Sequence, residues 1–479
     1  MTSADLVALS PLIALALTAA LIMLQIAVRR HHGAVMGLSL AGLAAAVAAL
    51  FAVVRWSLGP VTPLLVMDTH ALFFMGLILL TTAGTVMLAY GYLRQSAGQR
   101  EEFYLLLILA TLGAAVMAAS RHFAAFFIGL EILSIALYAL IAYYRRRPAC
   151  LEAGLKYLVL AAAASAFLLF GMALIYLDTG SLDFTAFTAA VARGADAPGA
   201  LFLLAGTGML VVGFGFKLAL FPFHMWTPDV YQGAPAPISG FVATVSKTAL
   251  VAVLVRLFAP VALAGNAPIF HVFGLLAVGS MVAGNLLALA QNSVKRILAY
   301  SSIAHMGYIL VAFMAGGRMA VQAVAFYMTA YSITALGAFG IVAVFSGRQA
   351  DADRLTDFQG MAFRHPWLGG LFTAMLLSLA GIPLTAGFIG KFYLVAAGLH
   401  SALAWLVIVL LLTSGMSLFY YLRIVVTLFS QPAERQADSL HFPAVGVPGG
   451  LAIAAVAVLL FWLGIAPGPL LSLLIGVAG

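Results

Sequence analysis

Five lysines, Lys156, Lys217, Lys247, Lys295 and Lys391, stand against eighteen arginines in this chain, and all but Lys295 fall inside apolar runs. A desolvated lysine sheds its proton readily, whereas an arginine stays charged in any protein setting. A chain that fills its loops with arginine and reserves lysine for apolar surroundings carries groups able to titrate there. The chemistry this implies is proton carriage, each ammonium taking up and releasing H+. An ammonium at membrane depth costs roughly 2.5–3.5 kcal/mol on insertion scales, which argues that the residue is kept for use.

Lys217 has the most telling surroundings. In VVGFGFKLALFPFHMWTPDVYQGAPAP it lies five residues before Pro222, and His224, Trp226, Pro228 and Asp229 follow. A proline removes a backbone hydrogen bond, so the helix is expected to break at Pro222. His224 and Asp229, past that break, either line an aqueous entrance or cap the broken helix. A second interrupted stretch, LLSLAGIPLTAGFIGKF, combines Gly381, Pro383, Gly387 and Gly390 with Lys391. Lys247 sits mid-helix between Ser246 and Thr248, and Glu131 is the single deeply placed acid. His305, in SSIAHMGY, serves a relay because imidazole titrates near neutrality, or is a satisfied interior histidine. Lys156, near a span end, is a further relay candidate or snorkels to the interface. Lys295, beside Arg296, reads first as a topology signal.

The elements that position these residues are membrane helices. Hydrophobic residues make up 64% of the chain, charged residues 8%, and mean hydropathy is +1.13, which excludes an ordinary soluble domain. Fourteen spans are expected: 6–28, 34–54, 70–93, 103–120, 122–144, 153–177, 200–226, 238–262, 270–289, 294–315, 319–345, 367–398, 402–429 and 448–475. The first has Asp5 before it and Arg29-Arg30 after it, the reverse of a cleaved signal peptide. Fourteen basic residues in the loops after odd-numbered spans, against five on the other side, put the odd loops in the cytoplasm and both termini outside. That alternation also accounts for the net charge of +8 without a nucleic-acid partner.

Loops are short, and the two longest, Asp178–Gly199 and Ser346–Pro366, are too small to fold as domains. No segment suits a flavin, a nucleotide or an iron–sulfur cluster, the one cysteine, Cys150, forbids a Cys-ligated cluster, and no His/Cys/Asp spacing suggests a metal site. Paired Gly/Pro-interrupted segments point to an inverted-repeat transporter architecture. With spans 4–8 as one unit and 9–13 as another, each break falls in the fourth span. Five is odd, so the units must be inverted. The expected organisation is three spans in 1–100, a first repeat in 101–265, a second in 266–430 and a last span in 431–479, all α.

GLEILSIALYAL, KLALFPFHMWTPDVYQGAPAPISGFVATVSKTAL, SVKRILAYSSIAHMGY and SLAGIPLTAGFIGKF together resemble the antiporter-like membrane subunits of respiratory complex I, over essentially the whole chain. Lys391 stands where M-type members carry a glutamate, and no long lateral helix is expected after span 14, unlike L-type members. Leu384 replaces a second proline and leaves the break intact. The resemblance implies a subunit of a redox-driven proton pump. The FMN, iron–sulfur clusters and quinone site would lie in partner subunits of the membrane and peripheral arms. It further implies that Glu131, Lys217, Lys247 and Lys391 form a polar axis at the membrane midplane, with Lys156 a further basic position. Protons would enter from the cytoplasm, pass Lys217, Lys247 and Lys391 by way of water, and leave outward, with Glu131–Lys217 as the gate. The rival reading is a subunit of a multisubunit Mrp-type Na+/H+ antiporter. A transport-dead spacer and a single-chain solute carrier fit the lysines and the absence of an organic-substrate pocket less well.

Overall fold

A computed structural model describes residues 3–56, 58–95, 98–193, 199–263, 267–347, 350–401, 403–431 and 446–477. Arg348, Arg435 and the expected boundary at 265 lie outside the described residues.

The chain folds as helices α1 (Ser3–Val28), α2 (His32–Trp56), α3 (Thr69–Arg94), α4 (Glu101–Ala119), α5 (Phe123–Ile141), α6 (Pro148–Thr179), α7 (Phe184–Ala192), α8 (Ala200–Leu218), α9 (Trp226–Gly233) and α10 (Ala236–Phe241). A π-helical turn, Val242–Ser246, leads into α11 (Lys247–Leu263). Then come α12 (Ala267–Leu289), α13 (Val294–Ala315), α14 (Gly317–Phe345), α15 (Met361–Arg364), α16 (Pro366–Ala380), α17 (Ala386–His400), α18 (Ala404–Phe429), α19 (Val447–Ile465) and α20 (Gly468–Val477). Two short antiparallel strands, β1 (Gly59–Pro60) and β2 (Val66–Met67), close the α2–α3 loop.

Among the described residues thirteen helical stretches are long and apolar enough to cross a membrane. The broken pair α16–α17 supplies the fourteenth crossing. Each of its halves has 15 residues; at 1.5 Å rise that is only about 22 Å, short of a bilayer's ~30 Å core. The Ala236–Val261 stretch and α14 are almost wholly buried and form the axis of the bundle, whereas α1, α2, α6, α18 and α19 turn broad apolar faces outward.

The inversion of the repeats can be read from two matching bridges. The N-cap of α5, His122, pairs with Asp183 after α6, and the N-cap of α13, Ser293, pairs with Arg354 after α14. The two bridges span the same number of residues. Five crossings separate the start of α5 from the start of α13, so the bridges sit on opposite faces. Helix pairing repeats as well: α4 packs on α5 as α12 packs on α13. Glycine backbones touch in the first pair, where a Cβ on Gly113 would meet the Gly129 carbonyl at 2.6 Å, and in the second, where one on Gly284 would meet the Tyr300 carbonyl at 2.8 Å.

Both breaks use one device, a left-handed residue ending the first half. Ala219 (φ 61) donates back to the Gly215 and Phe216 carbonyls and Leu220 N–H reaches Gly215 O at 2.7 Å. Gly381 (φ 89) donates to Leu377 and Ser378, and Ile382 N–H reaches Leu377 O at 3.0 Å. These are Schellman-type ends, which glycine adopts without cost and alanine only under strain. The first break therefore comes at Ala219, before the expected Pro222, because this terminus satisfies the last carbonyls and the proline only keeps the helix from resuming.

Three further departures follow from local chemistry. The expected last span divides into α19 and α20 around Ala466-Pro467, since the residue before a proline leaves the helical region. The Asp178–Gly199 loop contains α7, capped by Asp183 onto Thr185 N–H. The Ser346–Pro366 loop holds a 3-10 turn, Leu355–Phe358, and α15.

Candidate functional site

Three of the lysines share one environment, a serine hydroxyl and a tyrosine face. Lys217, in the last turn of α8, donates to Ser134 Oγ on α5 at 2.7 Å and lies 5.8 Å from the ring of Tyr157 on α6. The negative end of the α8 dipole favours a cation there. Lys247 follows the π turn, donates to Ser302 Oγ on α13 at 2.6 Å and lies 6.0 Å from the Tyr231 ring. Lys391 on α17 donates to Ser414 Oγ on α18 at 2.7 Å, lies 5.4 Å from the Tyr308 ring, and reaches back to the Ala380 carbonyl at 2.7 Å. All three are at most 8% exposed. Among the described residues no carboxylate lies within ion-pair distance of any of them.

A hydroxyl partner both accepts and donates, so it can receive a proton and pass one on, which a carbonyl cannot do. Aromatic and polar side chains link the three sites. Tyr157, Trp226 and Tyr231 stand in file between Lys217 and Lys247, with ring centroids 4.9 and 6.4 Å apart. Trp226 is fixed by its indole N–H on the Phe216 carbonyl at 2.9 Å, which at the break of α8 also accepts from Ala219 N–H. Beyond Lys247, Ser302 bonds Tyr331, and His305, 3% exposed, sits between the hydroxyls of Tyr327 and Tyr421. The His305 ring lies 5.4 Å from Tyr308, the ring that Lys391 faces. Asn285 braces this end, donating to Tyr308 at 3.0 Å and accepting from Tyr420 at 2.9 Å.

Glu131 is half-buried and accepts from Ser165 Oγ at 2.6 Å. It does not form the expected direct pair with Lys217, because a serine from a neighbouring helix satisfies each of them. Ser134 lies one turn from Glu131 on α5, so acid and ammonium still share a face.

Lys156 and Asp229 stand apart from this buried file. Asp229 Oδ2 accepts from Lys156 and Oδ1 from Arg296, both at 2.7 Å, and Lys156 also pairs with Glu152 at 2.7 Å. Lys156 is 42% exposed and, with Asp229, lines an open pocket of about 600 Å³ beside Arg147, Gln232, Asp351 and Asp353. His224, the other entrance candidate, does not line it; the imidazole is buried against Phe221 at 5.5 Å. Neither His224 nor Asp229 caps α9.

Lys295 departs most from expectation. A topology lysine would be solvated, yet this one is 1% exposed, donating to Asp351 Oδ2 at 2.8 Å and to the Ala234 carbonyl at 2.7 Å. Burial pushes the Asp351 carboxyl up, but Lys295, Tyr92 and Arg147 hold it below its ordinary value. Removing one member of such a buried pair costs about 3–5 kcal/mol. On the opposite face Arg256 grips Asp68 bidentately at 2.7 and 2.8 Å. There too, burial raises the carboxyl but the arginine holds it below its usual value.

Among the described residues no three His, Cys, Asp or Glu side chains gather as metal ligands.

A helical bundle of two inverted repeats, each with a broken helix and buried lysines, defines an antiporter-like membrane protein. Residues 120–417 match the family described as NADH:quinone oxidoreductase/Mrp antiporter, transmembrane, and the chain belongs to that family. It is 44% identical to NADH-quinone oxidoreductase subunit N of Ectopseudomonas mendocina (strain ymp), over 98% of this chain and 96% of that one. Among solved structures it resembles a chain of respiratory complex I from Thermus thermophilus with bound aureothin, at TM-score 0.82, 36% identity, 98% of this chain and 100% of that one. A chain of the Mrp complex from Dietzia sp. DQ12-45-1b shares the fold, at TM-score 0.85 and 22% identity, over 100% of this chain and 97% of that one.

Proposed function

We propose that this chain is the N-type antiporter-like subunit of a proton-translocating NADH–quinone oxidoreductase, a translocase assembly embedded in the bacterial inner membrane. The 44% relative and the complex I chain support this over the Mrp reading, for which 22% identity carries the fold alone. Neighbouring membrane-arm subunits are the partners. FMN, iron–sulfur clusters and quinone belong to other subunits, and this chain carries no redox centre.

One observation carries the mechanism: three buried lysines, each on a serine hydroxyl and, among the described residues, beyond ion-pair distance of any carboxylate, are linked through both repeats by a file of aromatic and polar side chains. Lys217 takes a proton from the cytoplasmic side, where Asp229 and Lys156 border the pocket. The proton passes to Lys247, crosses the Ser302–His305 cluster with bridging water, and reaches Lys391 for release outward. Glu131 acts on Lys217 through the shared face of α5, so a change of charge in a neighbouring subunit alters how firmly Lys217 holds its proton. His224, buried beside the break, is a second place where the proton can rest. Both termini face the periplasm, as the loop arginines indicate.

Gentle purification of the tagged chain tests the assembly. Co-purification with piericidin-sensitive NADH–quinone activity is the expected result. Recovery with other membrane subunits but no NADH oxidation moves the reading to the antiporter.

A further inference from the structure

Pro235 joins α9 to α10, and α10 continues through the π turn into the helix of Lys247. Both sides of this joint are held by one ion pair from the second repeat. Lys295 Nζ, on α13, donates to the Ala234 carbonyl at 2.7 Å. Asp351 Oδ2, in the α14–α15 linker, accepts from Ala236 N–H at 2.9 Å. The ammonium and carboxylate are 2.8 Å apart. The other carboxylate oxygen accepts from the Tyr92 hydroxyl on α3 and from Arg147, the N-cap of α6, at 3.1 Å. A carboxylate has about four acceptor positions, and here donors from four separate elements use them.

We infer that Lys295 and Asp351 form a positioning clamp, through which the second repeat fixes the joint between the helices bearing Lys217 and Lys247. The pair sets where α10 begins, and so how Lys247 meets Ser302. Lys295 does not carry the proton itself. Its partners are a carbonyl, which only accepts, and a carboxylate already saturated, whereas each relay lysine has a serine hydroxyl. What the clamp positions rests on the relay proposed above; that it holds the joint does not.

The test uses the assembled complex in native membrane vesicles and compares Lys295→Arg, Lys295→Gln and Asp351→Asn. Arginine keeps the charge and can pair with the carboxylate but cannot release a proton. The clamp predicts that Lys295→Arg retains most of the proton-to-electron ratio, while Lys295→Gln and Asp351→Asn lose it several-fold. Hydrogen exchange of the 230–241 segment in the purified complex should rise in the last two and stay near wild type in the first. Pumping as defective in Lys295→Arg as in Lys295→Gln, with exchange unchanged, would make Lys295 a relay and overturn the clamp. Normal pumping and exchange in all three would overturn it as well. Where Lys295→Gln or Asp351→Asn fails to assemble, Lys295→Arg decides alone: assembly with pumping supports the clamp, and assembly without pumping overturns it. Lys217→Arg, run alongside, separates the two readings. Normal pumping there removes the relay, while the exchange measurement still judges the clamp.

Discussion

Lys391 Nζ and the Ala380 carbonyl meet at 2.7 Å across the second helix break, so the ammonium caps the very terminus that the break exposes. Lys391 therefore has a structural duty that Lys247 lacks. Lys391→Met leaves the carbonyl unmet, at about 1–3 kcal/mol, and is expected to lower both the amount of subunit retained and pumping. Lys391→Arg keeps a donor at the carbonyl, so it should preserve the subunit and abolish pumping. Blue-native gels beside vesicle acidification separate the two effects.

The breaks also need close backbone approach. A Cβ at Gly387 would lie 1.9 Å from the Ser378 carbonyl oxygen, so Gly387→Ala must push α16 and α17 apart. Overpacking costs about 1–3 kcal/mol, more where backbone must move. The expected result is loss of assembled subunit. Gly208→Ala on α8, with nothing within 4 Å of the new methyl, is the control and should assemble normally.

Stability against acid follows from the loop carboxylates. Asp68 and Asp351 are held below the ordinary value of 3.8 despite burial. A lowered carboxyl contributes stability that is complete above the unfolded value and is lost as pH falls through the folded one. Their contribution should thus be constant from about pH 5 to 9 and vanish only in stronger acid. Thermal scans of the solubilised complex should show Asp351→Asn less stable than wild type by the same margin across that range. A margin that grows between pH 6 and 9 would contradict this.

Orientation is open to a direct measurement. Alkaline phosphatase fused after α20 or in the loop after α6 should be active, and fused in the α14–α15 linker inactive. The opposite pattern would invert the proposed direction of proton flow.

Much of this architecture was legible because apolar length, loop arginines and paired Gly/Pro interruptions act locally. What was not legible depends on residues brought together from afar. Ser134 lies 83 residues from Lys217 and Ser302 lies 55 from Lys247, and nothing local marks either serine. Lys295 reads in the sequence as a topology charge because Arg296 follows it, yet the two side chains diverge, one to buried Asp351 and the other to Asp229 at the pocket. The π turn before Lys247 has no proline or glycine to announce it; VATVS reads as ordinary helix. The alternation of basic loops puts Arg147, Lys295 and Arg296 on one face and Arg256 on the other; the carboxylates that hold them, Asp351, Asp229 and Asp68, carry no such local mark.

In the proposed cycle Lys217 releases a proton at every turn. The proton-to-electron ratio of Lys217→Arg in assembled complex puts this to the test. Arginine can still donate to Ser134, so the subunit should insert and NADH oxidation persist. The ratio should fall, because the side chain cannot deprotonate. A wild-type ratio would mean that Lys217 is a fixed charge, and that the proton goes elsewhere.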